Sequence, residues 1–331
     1  MSMLIFLIAV WDYSYNFASE FIYDNSIFAY SSADINDFIN QTHPYRYPFE
    51  SIDDLVSSAK LDLLLRNKFF SKKTTTFNFG FALHHYLTNN QKDSQRIDFG
   101  LRQAIGNFAV KLSYQIIPSY LIRYYLNPKN QINEYIGCEV KYQTLYGKIS
   151  FIPCPDIKLD FQYGRKWEDY ISAFNQYDCN GHLIETGAEL KLTNRIDWAF
   201  GYALKMMQSD SADISTPGNE AVPDGSYYQH SLRSMFTYQF KFFLPSKLKF
   251  GYTFDFKNFT TDFAADSMHY GRRDYMHNLL LDLELKIFTG MFMAISYYQQ
   301  WRYATSMILP DINTTKDYNK YRLGMGLNFY Y

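Results

Sequence analysis

The chain has 331 residues, with 32 Lys plus Arg against 33 Asp plus Glu and a formal net charge of -1, so neither the total nor any basic tract points to nucleic acid. Aromatic residues make up 19% of it (31 Tyr, 29 Phe, 4 Trp), yet mean hydropathy is -0.31 and, past the N-terminus, no stretch approaches the ~18 consecutive apolar residues of a membrane helix. Composition therefore argues against a helical membrane protein and leaves room for strands in which only every second residue is apolar.

The N-terminus opens on a nine-residue apolar run, Met3 to Trp11, followed by polar residues and Ala18-Ser19. It looks like the hydrophobic part of a secretory signal, although no Lys or Arg precedes it. Residues 1–19 are thus expected to be a signal peptide or a short N-terminal segment, and 20–331 one domain of repeated strands.

From there the chain alternates with a period of two, the signature of β-strands. The first strand is expected over Glu20 to Tyr30, with Phe21, Tyr23, Ile27 and Ala29 on its apolar face. Ser31 to Ser57, with His43-Pro44 and Tyr47-Pro48, is a loop with room for a helical turn. The second strand, Ser58 to Phe69, sets Ala59, Leu61, Leu63 and Leu65 against Lys60, Asp62, Arg66 and Lys68. The third, Thr74 to Leu87, sets Phe77, Phe79, Phe81 and Leu83 against Asn78, Gly80, Ala82 and His84. The fourth, Gln95 to Ile105, opposes Ile97, Phe99, Leu101 and Ile105 to Arg96, Asp98 and Arg102, and Gly106-Asn107 makes a tight turn.

The next two segments are long. Phe108, Val110, Leu112, Tyr114 and Ile116 form an apolar face that continues through Tyr120, Ile122, Tyr124 and Leu126, past Pro118, with Lys111 and Arg123 opposite. Asn127-Pro128-Lys129-Asn130 turns the chain. On the return, Ile136, Cys138, Val140 and Tyr142 are expected outside; the phase then shifts near Gly147, so that Ile149 and Phe151 take over. A β-bulge at Gly147 gives fourteen strands in all, whereas tight hairpins there and at Pro118 give sixteen.

The seventh strand, Ile157 to Trp167, carries Lys158, Asp160, Gln162 and Gly164 on its polar face; the eighth, His182 to Leu192, carries Glu185, Gly187, Glu189 and Lys191. The ninth, Arg195 to Met207, opposes Trp198, Phe200 and Tyr202 to Asp197 and Lys205. An acidic loop, Gln208 to Ser226, follows. The tenth, Tyr227 to Phe243, has Arg233, Thr237, Gln239 and Lys241 opposite its apolar row, and the eleventh, Lys247 to Asn258, has Lys249, Asp255 and Lys257. In the twelfth, Leu279 to Ile287 in alternation oppose Asn278, Asp282, Glu284 and Lys286; in the thirteenth, Met291, Met293, Ile295 and Tyr297 oppose Ser296, Tyr298, Gln300 and Arg302.

The last stretch, Tyr318 to Tyr331, alternates most strictly. Tyr321, Leu323, Met325, Leu327, Phe329 and Tyr331 form one face; Arg322, Gly324, Gly326, Asn328 and Tyr330 form the other. Ending on an aromatic residue, it resembles the final strand of bacterial outer-membrane β-barrels. The resemblance implies an all-β fold, a transmembrane antiparallel up-and-down β-barrel of fourteen strands (sixteen as the alternative), in the outer membrane of a Gram-negative cell. It also implies contact with outer-membrane lipid and with the barrel-assembly machinery through the C-terminal strand. Connections after even-numbered strands are tight and those after most odd-numbered ones long and polar, matching short periplasmic turns and longer extracellular loops.

Inside such a barrel, the polar faces would line a wet lumen. The basic candidates are Lys60, Arg66, Arg96, Arg102, Lys111, Arg123, Arg233, Lys241, Lys249 and Lys257; the acidic ones are Asp62, Asp98, Asp160, Glu185, Glu189, Asp282 and Glu284. Basic arcs in a lumen favour anions, unless each cation pairs with a carboxylate across strands. Asp34, Asp37, Glu50, Asp53, Asp54, Asp210, Asp213, Glu220 and Asp224 concentrate in the loops without the spacing of a calcium loop.

Chemistry is sparse. Cys138, Cys154 and Cys179 form neither a disulfide framework nor a C-x-x-C pair, so no metal or cofactor is expected. The chain holds no phosphate-cradling loop, zinc-protease motif or nucleophile elbow. His84 is expected inside, and His85, His230 and His277 outside, none with a catalytic partner. The expectation is a non-enzymatic, porin-like channel for passive diffusion of small hydrophilic solutes, favouring anions. The alternatives are a transporter of hydrophobic compounds, similar to fourteen-stranded fatty-acid channels, or a structural, adhesive or enzymatic barrel acting through its loops.

Overall fold

The computed structural model describes residues 11–70, 73–127, 134–209, 224–264 and 266–331. Fourteen antiparallel strands among them close into one barrel: β1 (Asp12–Asp24), β2 (Asp54–Phe70), β3 (Lys73–Tyr86), β4 (Ser94–Ile105), β5 (Phe108–Leu126), β6 (Tyr135–Cys154), β7 (Ile157–Tyr170), β8 (Cys179–Thr193), β9 (Ile196–Ser209), β10 (Tyr227–Lys241), β11 (Pro245–Phe259), β12 (Arg273–Phe288), β13 (Met291–Thr305) and β14 (Tyr318–Tyr330). Each strand pairs with its sequence neighbours, and β14 returns to β1. Closure leaves no unpaired edge, the condition for strands to enter an apolar solvent. Among the described residues, no helix is long and apolar enough to cross a membrane.

Alternation sorts the side chains as the sequence predicts over most of the wall. Phe99, Leu101, Leu112, Phe161, Leu232, Phe250, Leu281, Ile295, Leu323 and Met325 are all exposed, with Met325 as open as 61%. In a water-soluble protein these would be core residues; here they form a continuous outer belt. At the tight turns, Gly106 (φ 59°) and Gly290 (φ 81°) supply the left-handed backbone that other residues resist.

The seam is firm. Nine residues of β1 pair in register with β14, from Asn16↔Tyr330 to Asp24↔Arg322. Tyr331 exchanges two 3.0 Å backbone hydrogen bonds with Tyr15 and stacks on Tyr13 and Tyr15, with centroids 5.9 and 5.2 Å away.

Three expectations need correction. The first strand is not Glu20 to Tyr30 but Asp12–Asp24. Its alternation begins earlier, at Tyr13, Tyr15 and Phe17, all exposed, and it stops where the Ser26 amide donates to Asp24 and Ala29 turns to φ 51°. Ile27 therefore does not face outward; it is 3% exposed, within a core on the other side of the wall. Second, the phase change is not at Gly147. β6 pairs with β7 without a shift from Val140 to Phe151, so Cys138, Val140 and Tyr142 share the inner face with Lys148 and Ser150. Val140 is only 1% exposed. The irregularities lie on β5 instead, as two register shifts between Ile117 and Arg123. Third, Tyr120, expected outside, packs on the inner side between those bulges, under the Lys92 ammonium (4.3 Å), and Tyr124, beyond them, meets the β1–β2 connection edge-on at Phe28 (6.1 Å). Both β5 and β6 run through without hairpins, which removes the sixteen-strand alternative.

The β1–β2 connection, residues 25–53, folds back over this end instead of standing in solvent. It holds α1 (Ser32–Ile39), started by a capping box in which Ser31 and Asp34 bond each other's backbone amides. Phe28, Tyr30, Phe38, Tyr47 and Phe49 stack together, with Phe28–Phe49 at 4.7 Å and Phe38–Phe49 at 5.0 Å. This cluster rests on Val56, Tyr86 and Leu121 from β2, β3 and β5. Fully burying such side chains contributes about 1.5–3 kcal/mol each. Apolar residues at this end of the barrel thus face a packed interior, and hydrophobicity there does not mark lipid.

Candidate functional site

The inner face divides by height. Toward the tight turns, carboxylates and cations interlock across strands. Lys249 sits between Asp282 (2.8 Å) and Glu284 (2.7 Å). Asp160 receives Lys148 (3.0 Å), Lys158 (3.2 Å) and the Ser150 hydroxyl (2.6 Å), while Lys158 also reaches Glu189 (2.6 Å). Higher on the wall, Lys60 pairs with Asp62 (2.7 Å) and Arg96 with Asp98 (2.9 Å), each within one strand, and Arg233 with Glu185 (3.6 Å). A cavity of 410 Å³ opens between Asp160, Glu185, Arg233 and Tyr298.

Of the remaining basic candidates, Arg66, Arg102, Lys111 and Lys241 make no ion pair among the described residues; Lys111 lies 6.0 Å over the Tyr146 ring. Lys257 stands apart from them. It is sandwiched against Tyr227 (3.6 Å) and Phe259 (4.3 Å).

Toward the long connections the balance changes. Here the folded 25–53 segment, the turn at residues 172–177, the 260–272 connection and α2 (Ile312–Lys316) converge over the barrel mouth. Beneath them lies a chamber of 640 Å³. Its walls carry Lys92, Arg123, Arg272, Arg302, Lys316 and Lys320, and among the described residues no carboxylate lines it. Tyr120, Tyr125, Tyr170, Phe174, Tyr177 and Tyr318 supply most of the rest.

Each cation is placed by a local cause. The Arg123 guanidinium donates to the Phe28 carbonyl (2.8 Å) and to that of Ala29, lies 4.8 Å over Tyr30, and meets Asp34 at 3.7 Å, so it tethers the folded segment to β5. Arg272 and Arg302 share Asp274, at 2.9 and 2.7 Å, and Lys320 holds Asp24 at 2.8 Å. Lys92 ends a single 3-10 turn between β3 and β4; it is 1% exposed and donates to the Leu121 and Ile122 carbonyls beside the Phe28 and Tyr120 rings. That turn is fixed by Asp54, which accepts the amides of Thr88 (3.1 Å) and Asn89 (2.8 Å). Among the described residues Lys316, on α2, forms no ion pair. Burial, then the nearby Lys320 and Arg123, hold Lys92 well below the usual lysine value. Burial and the charges of Arg272, Arg123 and Arg302 push Lys316 down to about 7.

Sequence reasoning reached Arg123 and Arg302 but not Lys92, Arg272, Lys316 or Lys320. Three of these lie between strands, where a period of two carries no signal, and the fourth sits at a strand end. The histidines expected outside are tied to neighbours: His85 to Asp93, His230 to Tyr202 and His277 to Tyr252, each at 2.7 Å.

No protein-family model and no curated protein matches the sequence. Solved structures match along nearly its whole length. The outer-membrane channel DcaP of Acinetobacter baumannii is 11% identical, with a TM-score of 0.50 over 98% of either chain. An anion-selective porin from Comamonas acidovorans is 7% identical, with a TM-score of 0.48 over 97% of this chain and 99% of that one. At such identities the likeness speaks to fold alone. The exposed apolar belt is a surface that only lipid satisfies, and bacteria place closed barrels of this kind in one membrane. The chain therefore has the architecture of a porin-like outer-membrane β-barrel.

Proposed function

We propose that the barrel is a passive channel for small hydrophilic solutes, and that it favours anions over cations. The observation that carries this reading is the loop-end chamber, whose lining among the described residues holds six Lys and Arg side chains and no Asp or Glu. The carboxylates that pair with these cations, Asp24, Asp34 and Asp274, stand behind the lining. A charged constriction with low-dielectric walls concentrates counter-ions, so an entering anion meets a favourable potential and a cation an unfavourable one. The interlocked pairs nearer the turns contribute little net field, and the cations without ion pairs there among the described residues, Arg66, Arg102, Lys111 and Lys241, add to the positive one.

The test is electrical. Purified barrel in a planar bilayer under a KCl gradient should give discrete openings, with a reversal potential of the sign set by chloride. Silence at every voltage and salt concentration would sink the channel reading; a potassium-signed reversal would sink the preference. A carrier for hydrophobic compounds fits less well, because the aromatic cluster around Phe49 is consumed by its own packing.

A further inference from the structure

We infer that the loop-end chamber is a binding site for a planar organic anion carrying two negative charges. This rests on the channel reading only for how the ligand arrives; the site itself stands on geometry. Charge alone does not explain the chamber, because its cations alternate with rings. Lys92 is held between Phe28 and Tyr120, with the ammonium 5.0 and 4.3 Å from their centroids, and Arg302 lies 5.9 Å over Tyr318. Such walls offer a flat apolar body both stacking faces and ring edges.

The cations also come from different directions. Lys92 and Arg123 stand on or beside β3 and β5, whereas Arg272, Arg302, Lys316 and Lys320 come from the β12, β13, α2 and β14 side. Against the three carboxylates that pair with them, Asp24, Asp34 and Asp274, the two sets leave positive charge in excess. Two negative groups on a rigid spacer engage both, and the volume of 640 Å³ suits a molecule of one or two rings. The donors differ in availability. Arg123 and Arg272 already spend theirs on backbone carbonyls and carboxylates, so they act as fixed charges. Lys316 has no carboxylate among the described residues, so it is the group an anion would complete, whereas Lys92, 1% exposed, already spends its ammonium on two carbonyls and two rings. Gln300 and the Tyr318 hydroxyl, bonded to each other at 2.9 Å, also line it, with the Gln300 amide donating to Asn278 (2.6 Å) and Tyr298 (2.9 Å).

Calorimetric titration of the folded barrel in detergent tests this, using benzene-1,3-disulfonate as the probe, since its ring is flat and its two charges are independent of pH. The expected result is saturable one-to-one binding. Sulfate, with the charge but no ring, and benzyl alcohol, with the ring but no charge, should each bind at least about tenfold more weakly. Lys316→Gln should weaken the disulfonate about tenfold or more, while Lys241→Gln at the turn end leaves it unchanged. Lys316 sits on a loop helix, so heat-resistant migration of the variant reports whether its barrel is intact. No saturable binding to intact wild-type barrel overturns the inference, as does sulfate binding equally well, or an intact Lys316→Gln barrel that binds normally. Channels that conduct without such binding would leave the channel reading standing and remove this one. Binding without conductance would do the reverse.

Discussion

Near the turns, Lys249 lies between Asp282 and Glu284, and Asp160 gathers Lys148 and Lys158. Near the loops, Lys92 and Lys316 lie in the same tube of backbone with no carboxylate within ion-pair distance among the described residues. Strands supply both regions, and the wall does not change. What changes is what fills the lumen. At the turn end charged side chains reach their neighbours across a wet interior, and Lys148, Lys158 and Lys249 each find an acid on the neighbouring strand. At the loop end a folded segment and several connections displace water, so cations stay only where carbonyls, rings or acids behind the lining hold them. The comparison teaches that in a barrel the alternating pattern specifies the direction of a side chain and the filling specifies its electrostatics.

The largest expected effect breaks the filling. Phe49→Ala removes the ring shared by Phe28, Tyr30, Phe38 and Tyr47 and should cost the folded segment about 3–5 kcal/mol. Hydrogen exchange over residues 25–53 should rise steeply while the strands of the far wall stay protected; uniform loosening would show that the two regions are not separable. A smaller effect sharpens the chamber. Lys316 has its usual lysine value of 10.5 lowered to about 7, so it is mostly charged at pH 6 and mostly neutral at pH 8. Disulfonate binding needs the charged form, so affinity should be flat below pH 7 and fall up to about tenfold by pH 8. The charges of Arg272, Arg123, Arg302 and Asp274 act on Lys316. Lys316→Arg should flatten the profile; a persisting slope would assign the titration to Lys92, which burial also holds well below the usual lysine value. The smallest effect belongs to the turn end. Replacing Lys158 and Glu189 together by Gln should change barrel stability by less than about 1 kcal/mol and leave reversal potentials unmoved, read by urea titration and bilayer recording.

The outer belt was legible in the sequence because lipid imposes a rule on every second residue, and Phe99, Leu112 and Met325 obey it. Strand number and the β1–β14 closure followed from the same rule. Cys138, Val140 and Tyr142 were misread for a physical reason: the rule reports apolar against polar surroundings, and the inner face is packed there as well, with Val140 1% exposed and Tyr142 against Tyr120. Nor does alternation reveal the bulges between Ile117 and Arg123, since a bulge resets phase without leaving a distinctive residue. The chamber was the least legible part. Lys92, Arg272 and Lys316 belong to connections, and only the folded chain brings them together.

The cap around Phe28, Tyr47 and Phe49 introduces an energetic term that a lipid-facing wall lacks. Its rings are removed from water, so its unfolding carries a positive heat-capacity change and its stability passes through a maximum with temperature. The wall, held by a closed hydrogen-bond ladder, has no comparable dependence. We expect two transitions in calorimetry of the intact protein: a small, curved, low-temperature one for the cap and a separate high one for the barrel; a single transition would mean that the cap melts only with the wall. If they separate, the mouth of this barrel is tuned by temperature independently of the membrane protein that carries it.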